Sequence, residues 1–145
     1  MIGVCNRFND LDWSIHQWQF IFLHFGIAHF WSRGLPAEYR NAKRSYKLPI
    51  GVNTAADLPD LPLVVLTSAD GKFVKGNESL VTFKHPKEAI YLFGGDQEHL
   101  TVEKDFGCRE PDHLVYIPCN NRVMYSFVAA GIVFYDRMVK CQSNL

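Results

Sequence analysis

The stretch Ala89-Ile90-Tyr91-Leu92-Phe93-Gly94-Gly95-Asp96-Gln97-Glu98-His99-Leu100 decides how this chain is read. Its apolar half is too short for a helix and too continuous for a strand with one wet face, so it predicts an interior strand buried on both sides. Gly94-Gly95 then ends it in a loop, because residues without a Cβ let the backbone turn sharply or approach a ligand closely. Two further runs have the same character: His113-Leu114-Val115-Tyr116-Ile117, stopped by Pro118, and Leu63-Val64-Val65-Leu66-Thr67.

Upstream, Ile2 to Cys5 reads as a short buried strand, and Asn6-Arg7-Phe8-Asn9-Asp10 as the loop that follows it. Trp13, Trp18, Ile21, Phe22 and Phe25 recur at helical spacing, so Asp12 to Phe25 is expected to be a helix closed by Gly26. Ile27 to Ser32 reads as a second strand. Leu35 to Ile50 is polar and basic, with one short helix expected around Ala37 to Arg44 and a loop at Pro49-Ile50-Gly51; Thr54 to Leu58 suits another short helix capped by Thr54. The final helix is expected over Val123 to Lys140, apolar nearly all round. Strands alternating with helices predict a single α/β domain over 1-145, with a mainly parallel sheet covered by helices on both faces. Ligands of such sheets sit beyond the carboxyl ends of strands, which points to the loops Gly94 to Leu100 and Pro118 to Arg122.

With 145 residues, 48% of them apolar, the chain can bury a core as one domain. Its 15 Lys+Arg balance 15 Asp+Glu, so affinity for nucleic acid has to come from a local patch. The patch available is Arg40, Lys43, Arg44 and Lys47, interleaved with Tyr39 and Tyr46, which suits phosphate contacts and base stacking as well as it suits a solvated loop. Cys5, Cys108, Cys119 and Cys141 are scattered without a paired spacing; they read as reduced thiols of a cytoplasmic protein, with no structural metal. No secretory leader is recognisable at the start. Trp18 to Trp31 is interrupted by His24, Gly26 and His29, and Val123 to Tyr135 is shorter than the roughly 20 apolar residues that cross a bilayer, so no membrane span is expected. His16 and His24 are expected to serve structural roles among the aromatic residues of the first helix.

The run Phe93 to Leu100, the strand ending Ile117-Pro118, and Val128-Ala129-Ala130-Gly131-Ile132 in the last helix together resemble the second and third motifs of the SpoU-like branch of the SPOUT RNA methyltransferases. In that family a strand ends in Gly-x-Glu-x-x-Gly-Leu, another ends in Ile-Pro, and a helix carries Val-Ala-Ala-Gly-Ile. The resemblance spans about Ala89 to Tyr135. It implies a trefoil knot near the carboxyl terminus, S-adenosylmethionine as cofactor, a homodimer, and transfer of methyl to a ribose 2′-hydroxyl of tRNA or rRNA. Carried across, the cofactor loop is Phe93, Gly94, Gly95 and Asp96, with Asp96 where the family has Glu, and the adenine side is Ile117, Pro118 and Cys119, joined by Met124 and Tyr125.

The sequence departs from the family at three places. His99 stands where the family has Gly; Val123-Met124-Tyr125 replaces Ser-Leu-Asn; and Phe20 occupies the position of the first-motif Arg. An alkoxide developing at a ribose oxygen needs a neighbouring cation, so the loss of that Arg is a mechanistic one. Arg7 and Asn9, in the loop after the first strand, are the candidate replacements, followed by Tyr125, Arg33 and Arg122; the alternative is that Arg7 and Asn9 only cap a turn. The concentration of aromatic residues from Trp13 to Trp31 and the apolar final helix suit a subunit interface or a dense monomeric core. A relative with impaired chemistry that binds cofactor or RNA is the second functional expectation. A nucleotide-binding protein of another α/β class is the third, and it lacks a phosphate-loop sequence.

Overall fold

The computed structural model describes residues 2–7, 12–27, 29–33, 52–54, 59–67, 77–93, 111–119 and 125–142. Seven strands form one sheet: β1 (Ile2–Arg7), β2 (His29–Arg33), β3 (Val52–Thr54), β4 (Leu63–Thr67), β5 (Glu78–Ser79), β6 (Ala89–Phe93) and β7 (His113–Tyr116). Their spatial order is β3-β2-β1-β6-β4-β7-β5, and every pair is parallel. Among the described residues two helices accompany them, α1 (Asp12–Phe25) between β1 and β2, and α2 (Ser126–Gln142) at the end. An all-parallel sheet needs a long crossover between every pair of neighbours, so the chain alternates strands with intervening segments as the apolar runs implied.

β6 lies in the middle of the sheet and all five of its residues are buried, which is why its sequence carries no polar alternation. Both helices pack on the face that carries Tyr91 and Phe93. Trp18 of α1 meets Phe93 edge-on with ring centroids 5.6 Å apart, and Phe134 of α2 meets Tyr91 at 5.1 Å. Trp18, Ile21, Phe22 and Phe25 form the inner stripe of α1, while Phe20 and Leu23 face outward. Ile90, Leu92, Leu63 and Val65 are buried as well, so the other face of the sheet is also covered.

α1 ends where the sequence placed its stop. Gly26 takes φ 61°, a left-handed conformation that side chains disfavour, and the amide of Ile27 donates to the carbonyl of Phe22 at 3.1 Å. Because Ile27 closes the helix in this way, β2 begins at His29 rather than at Ile27. β1 is longer than expected: Asn6 and Arg7 continue the ladder opposite Ser32 and Arg33 instead of forming a turn. β7 stops at Tyr116, since Ile117 leads into Pro118, which has no amide hydrogen to offer a ladder. α2 starts at Ser126, not Val123, with the carbonyl of Tyr125 accepting from the amides of Val128 and Ala129 at 3.0 and 3.1 Å.

Thr54 is the last residue of β3, the rest of the helix expected over Thr54 to Leu58 lies outside the described residues, and the two-residue β5 has no counterpart among the expected strands. The expected short helix around Ala37 to Arg44 lies outside the described residues. α2 is not apolar all round: Arg137 and Ser126 are among its buried residues. Among the described residues, no helix is long and apolar enough to cross a membrane.

Candidate functional site at the carboxyl edge of the sheet

Because all the strands run the same way, their last residues share one edge, in the order Thr54, Arg33, Arg7, Phe93, Thr67, Tyr116, Ser79. β4 lies between β6 and β7, so the loops leaving Phe93 and Tyr116 start two strand spacings apart, about 10 Å. Two loops at that separation on either side of one strand end make the kind of crevice in which open α/β sheets hold ligands.

Each loop has a rigid root. Phe93 is 1% exposed and fixed between Trp18 and Phe134, the latter at 6.0 Å between ring centroids. Ile117 packs against the core, and Pro118 and Cys119 beyond it are exposed, so the path from buried strand to open main chain takes two residues. The strand between them is anchored through Thr67, whose hydroxyl donates to the carbonyl of Val115 at 3.3 Å and accepts from Asn77 Nδ2 at 3.1 Å. Thr67 thereby ties β4 to β7 and to the approach to β5. It was passed over in the sequence reading, where it served only to end an apolar run.

Tyr125 stands at the amino end of α2, 51% exposed, its ring stacked on Phe127 at 5.7 Å with 5° between planes. Its backbone is fixed by the helix it opens, and its ring has a supporting aromatic face. Arg7 is the last residue of β1, not a loop residue. Asn6 pairs with Phe93, so Arg7 comes level with the start of the loop after β6, and its own partner in β2 is Arg33. Two arginines thus end neighbouring strands beside the candidate cofactor loop. Phe20 is 52% exposed on α1, so an apolar ring occupies the position of the missing first-motif cation. His24 is exposed too.

Asn9, Gly94, Gly95, Asp96, His99, Arg122, Met124 and the cluster Arg40, Lys43, Arg44 and Lys47 lie outside the described residues. Among the described residues, no group of three or more His, Cys, Asp or Glu side chains is placed to hold a metal ion.

Gly131 faces α1, not the sheet: a Cβ there would meet Ile21 Cδ1 at 3.4 Å. The glycine therefore brings the two helices together and leaves the sheet contact to Ala130, Val133 and Phe134.

No family model and no curated protein matches the sequence. Solved structures do match the fold. The SpoU methyltransferase AviRb from Streptomyces viridochromogenes, in complex with the cofactor AdoMet, superposes with a TM-score of 0.71 at 16% identity, covering 99% of this chain and 61% of that one. An AdoMet-bound rRNA methyltransferase from Sinorhizobium meliloti gives 0.62 at 18% identity, covering 93% of this chain and 54% of that one. A structure concerned with the 2-OH methylation of C/U34 on tRNA gives 0.61 at 15% identity, with coverage of 97% and 91%. The chain thus spans little more than half of the first two proteins and nearly the whole of the third. With its parallel sheet, its two loops flanking β4 and its closing helix, the chain has the fold of the SpoU-type methyltransferases, built from a strongly diverged sequence.

Proposed function

We propose that this chain is an S-adenosylmethionine-dependent RNA methyltransferase acting on a 2′-hydroxyl of a tRNA or rRNA ribose. The observation that carries the reading is the placement of the loops after β6 and β7 at one edge, on either side of β4. That AviRb and the Sinorhizobium enzyme were solved with AdoMet supports the choice of cofactor. The residues present fit an adenosyl group: Ile117 gives an apolar wall, the main chain at Pro118 and Cys119 is open beyond it, and Phe93 anchors the opposite loop. Gly94, Gly95, Asp96, Met124 and Tyr125 complete the pocket in this reading. The carboxyl third carries the family's knotted crossing, and residues 1-145 form one domain working in the cytoplasm.

When bound, the cofactor supplies a methyl group on a sulfonium. The ribose oxygen forms the new bond to carbon, the carbon–sulfur bond breaks, and the hydroxyl proton leaves to solvent or a nearby base. Arg7, at the end of β1, supplies positive charge beside the developing alkoxide, with Asn9 placed near it to orient the ribose. Arg40, Lys43, Arg44 and Lys47 hold phosphates of the RNA. A homodimer completes the site. Val128, Ile132, Tyr135 and Val139 form an exposed apolar stripe along α2, and Phe20 and Leu23 are exposed on α1, as on a surface that pairs with a second copy. Sedimentation should give twice the chain mass at micromolar concentration.

A second reading is favoured by one observation, the exposed Phe20 where the family has a cation: the chain binds cofactor or RNA without efficient transfer. Calorimetry with S-adenosylmethionine, followed by methyl transfer to bulk RNA, separates the two. The first reading expects both binding and transfer, and Arg7→Ala should then lower the rate on the order of a hundredfold with cofactor affinity retained. Binding without transfer establishes the second, and absence of cofactor binding removes the first and leaves the second only in its RNA-binding form.

A further inference from the structure

At the amino end of β6, opposite the loop end, five polar side chains are joined in one chain of contacts. His85 Nε2 lies 2.7 Å from Asp136 Oδ2, and His85 Nδ1 lies 2.7 Å from the Tyr91 hydroxyl. Arg137 Nη1 donates to that hydroxyl at 2.8 Å and to the carbonyl of Pro86 at 2.6 Å, while Nη2 donates to the carbonyl of Lys87 at 2.7 Å. Lys140 Nζ donates to the carbonyls of Leu80 and Phe83 at 2.6 and 2.9 Å and to Asp136 at 2.9 Å. Every cationic anchor comes from α2 and every carbonyl from the crossover between β5 and β6. The contacts between α2 and the 80–91 segment reach 46 to 60 residues along the chain, so they hold tertiary structure and not local structure.

The donors and acceptors allow one consistent assignment. The Asp136 carboxylate only accepts, so His85 carries its hydrogen on Nε2. Arg137 only donates, so the Tyr91 oxygen accepts from it, and among the described contacts His85 Nδ1 is the acceptor that keeps the phenol hydrogen partnered. The imidazole is therefore neutral, with both nitrogens used, and its side chain is 1% exposed.

We propose that this network is an acid-released latch: neutral His85 completes the chain of donors that pins α2 to the 80–88 crossover, and protonation of its imidazole opens that contact. A hydrogen added at Nδ1 would point at a hydroxyl that already points back. It would also place a third cation beside Arg137 and Lys140 around the single carboxylate of Asp136. Phe83 touches His85 edge-on at 4.9 Å and His113 of β7 at 5.3 Å, so a second imidazole lies one ring away. Lys84, Lys87 and Glu88 on the crossover are exposed to water, and Cys141 is the remaining titratable neighbour of Tyr91 on α2.

Burial holds His85 below the ordinary 6.5; Asp136 opposes that shift, and Arg137 and Lys140 add to it. In the unfolded or undocked chain the imidazole regains its ordinary value and takes up a proton first. The latch is therefore fully closed above 6.5 and loses stability as the pH falls from there toward the lower folded value.

Three measurements test the latch without any ligand, so they do not depend on the proposed activity. Nitrogen-resolved NMR of the wild-type protein near pH 7.5 should show His85 neutral with its hydrogen on Nε2; an imidazolium or the Nδ1–H form overturns the assignment. Hydrogen exchange, corrected for intrinsic rates, should lose up to about tenfold protection per pH unit in 80–88 and 135–142 on going from about pH 6.5 to 5.5. The amides of β4 and β6 should keep theirs, and a uniform loss or no loss overturns the release. His85→Gln should remove this pH dependence, and an unchanged profile in that variant counts against His85. If His85→Gln does not fold, the two wild-type measurements decide.

Discussion

The two ends of β6 are built by opposite means. At its amino end, charged and polar side chains are buried and matched partner for partner, from Arg137 on the carbonyls of Pro86 and Lys87 to His85 on Asp136. At its carboxyl end Phe93 is held between aromatic rings, and the neighbouring β7 releases its chain into exposed Pro118 and Cys119. Polar networks fix position because leaving any member unpartnered is costly, while a glycine loop rooted on an aromatic anchor leaves backbone free to meet a ligand. In the proposed reading, stability and binding are thus placed at opposite ends of the same strand.

The largest effect that would break this contrast comes from Arg137→Met. It keeps most of the volume but leaves two carbonyls and the Tyr91 hydroxyl without their donor, and should cost about 3 to 5 kcal/mol in denaturant unfolding. A loss below about 1 kcal/mol would show that water replaces the guanidinium. Tyr91→Phe is a smaller cut, about 1 to 3 kcal/mol, since it removes one hydroxyl between His85 and Arg137. The phenol also gives an alkaline signature: burial pushes Tyr91 up to about 12 from 10.0. An acid whose folded pKa is raised contributes stability that is intact below 10 and is lost as the pH rises toward 12. Alkaline unfolding should lose that component in Tyr91→Phe, and identical curves for the two proteins would exclude it.

At the other end of the strand, Gly95→Trp should weaken S-adenosylmethionine about tenfold or more in calorimetry while shifting the thermal midpoint by no more than about 2 °C. Equal affinity would remove the loop from the cofactor site. Gly131 lies outside both regions, and its alanine variant should show the smallest effect. Gly131→Ala gains helix propensity and meets Ile21 Cδ1 at 3.4 Å, an ordinary contact, so it should stabilise by about 0.5 kcal/mol. Gly131→Leu should instead cost about 1 to 3 kcal/mol by overpacking α1 against α2.

Sequence patterns revealed the parts of the fold in which local chemistry and tertiary packing agree. α1 runs over Asp12–Phe25, β4 over Leu63–Thr67 and β6 over Ala89–Phe93, as their spacing implied. β3 and β5 escaped because strands of three and two residues carry no period. Arg7 was legible as a candidate, but its place in the β1 ladder depends on Ser32 and Arg33 pairing alongside, which is a non-local fact. The latch was hidden for the same reason: its members lie dozens of residues apart. The one local sign of it was Arg137, a cation within the stripe of Ala130, Val133 and Phe134 that faces the core. Of the candidate site, the loop roots were readable from Phe93 and Ile117-Pro118, whereas Thr67 acquires its role only through Val115 and Asn77.

The shortness of β3 and β5 has a consequence of its own. Among the described residues they are the outermost strands of the sheet, at either side of five longer neighbours. An outer strand exposes a row of unpaired amides and carbonyls on which another chain can add itself, and the hazard grows with the length of the row. With so few residues at each border, the ladder offers a passing chain too little template to zip onto. The buried, strongly apolar interior of β6 and β4 is thereby kept from recruiting copies of itself edge to edge. Lengthening β5 by replacing Asn77 or Leu80 with β-branched residues would trade that protection for a longer ladder, and self-association would be its first visible symptom.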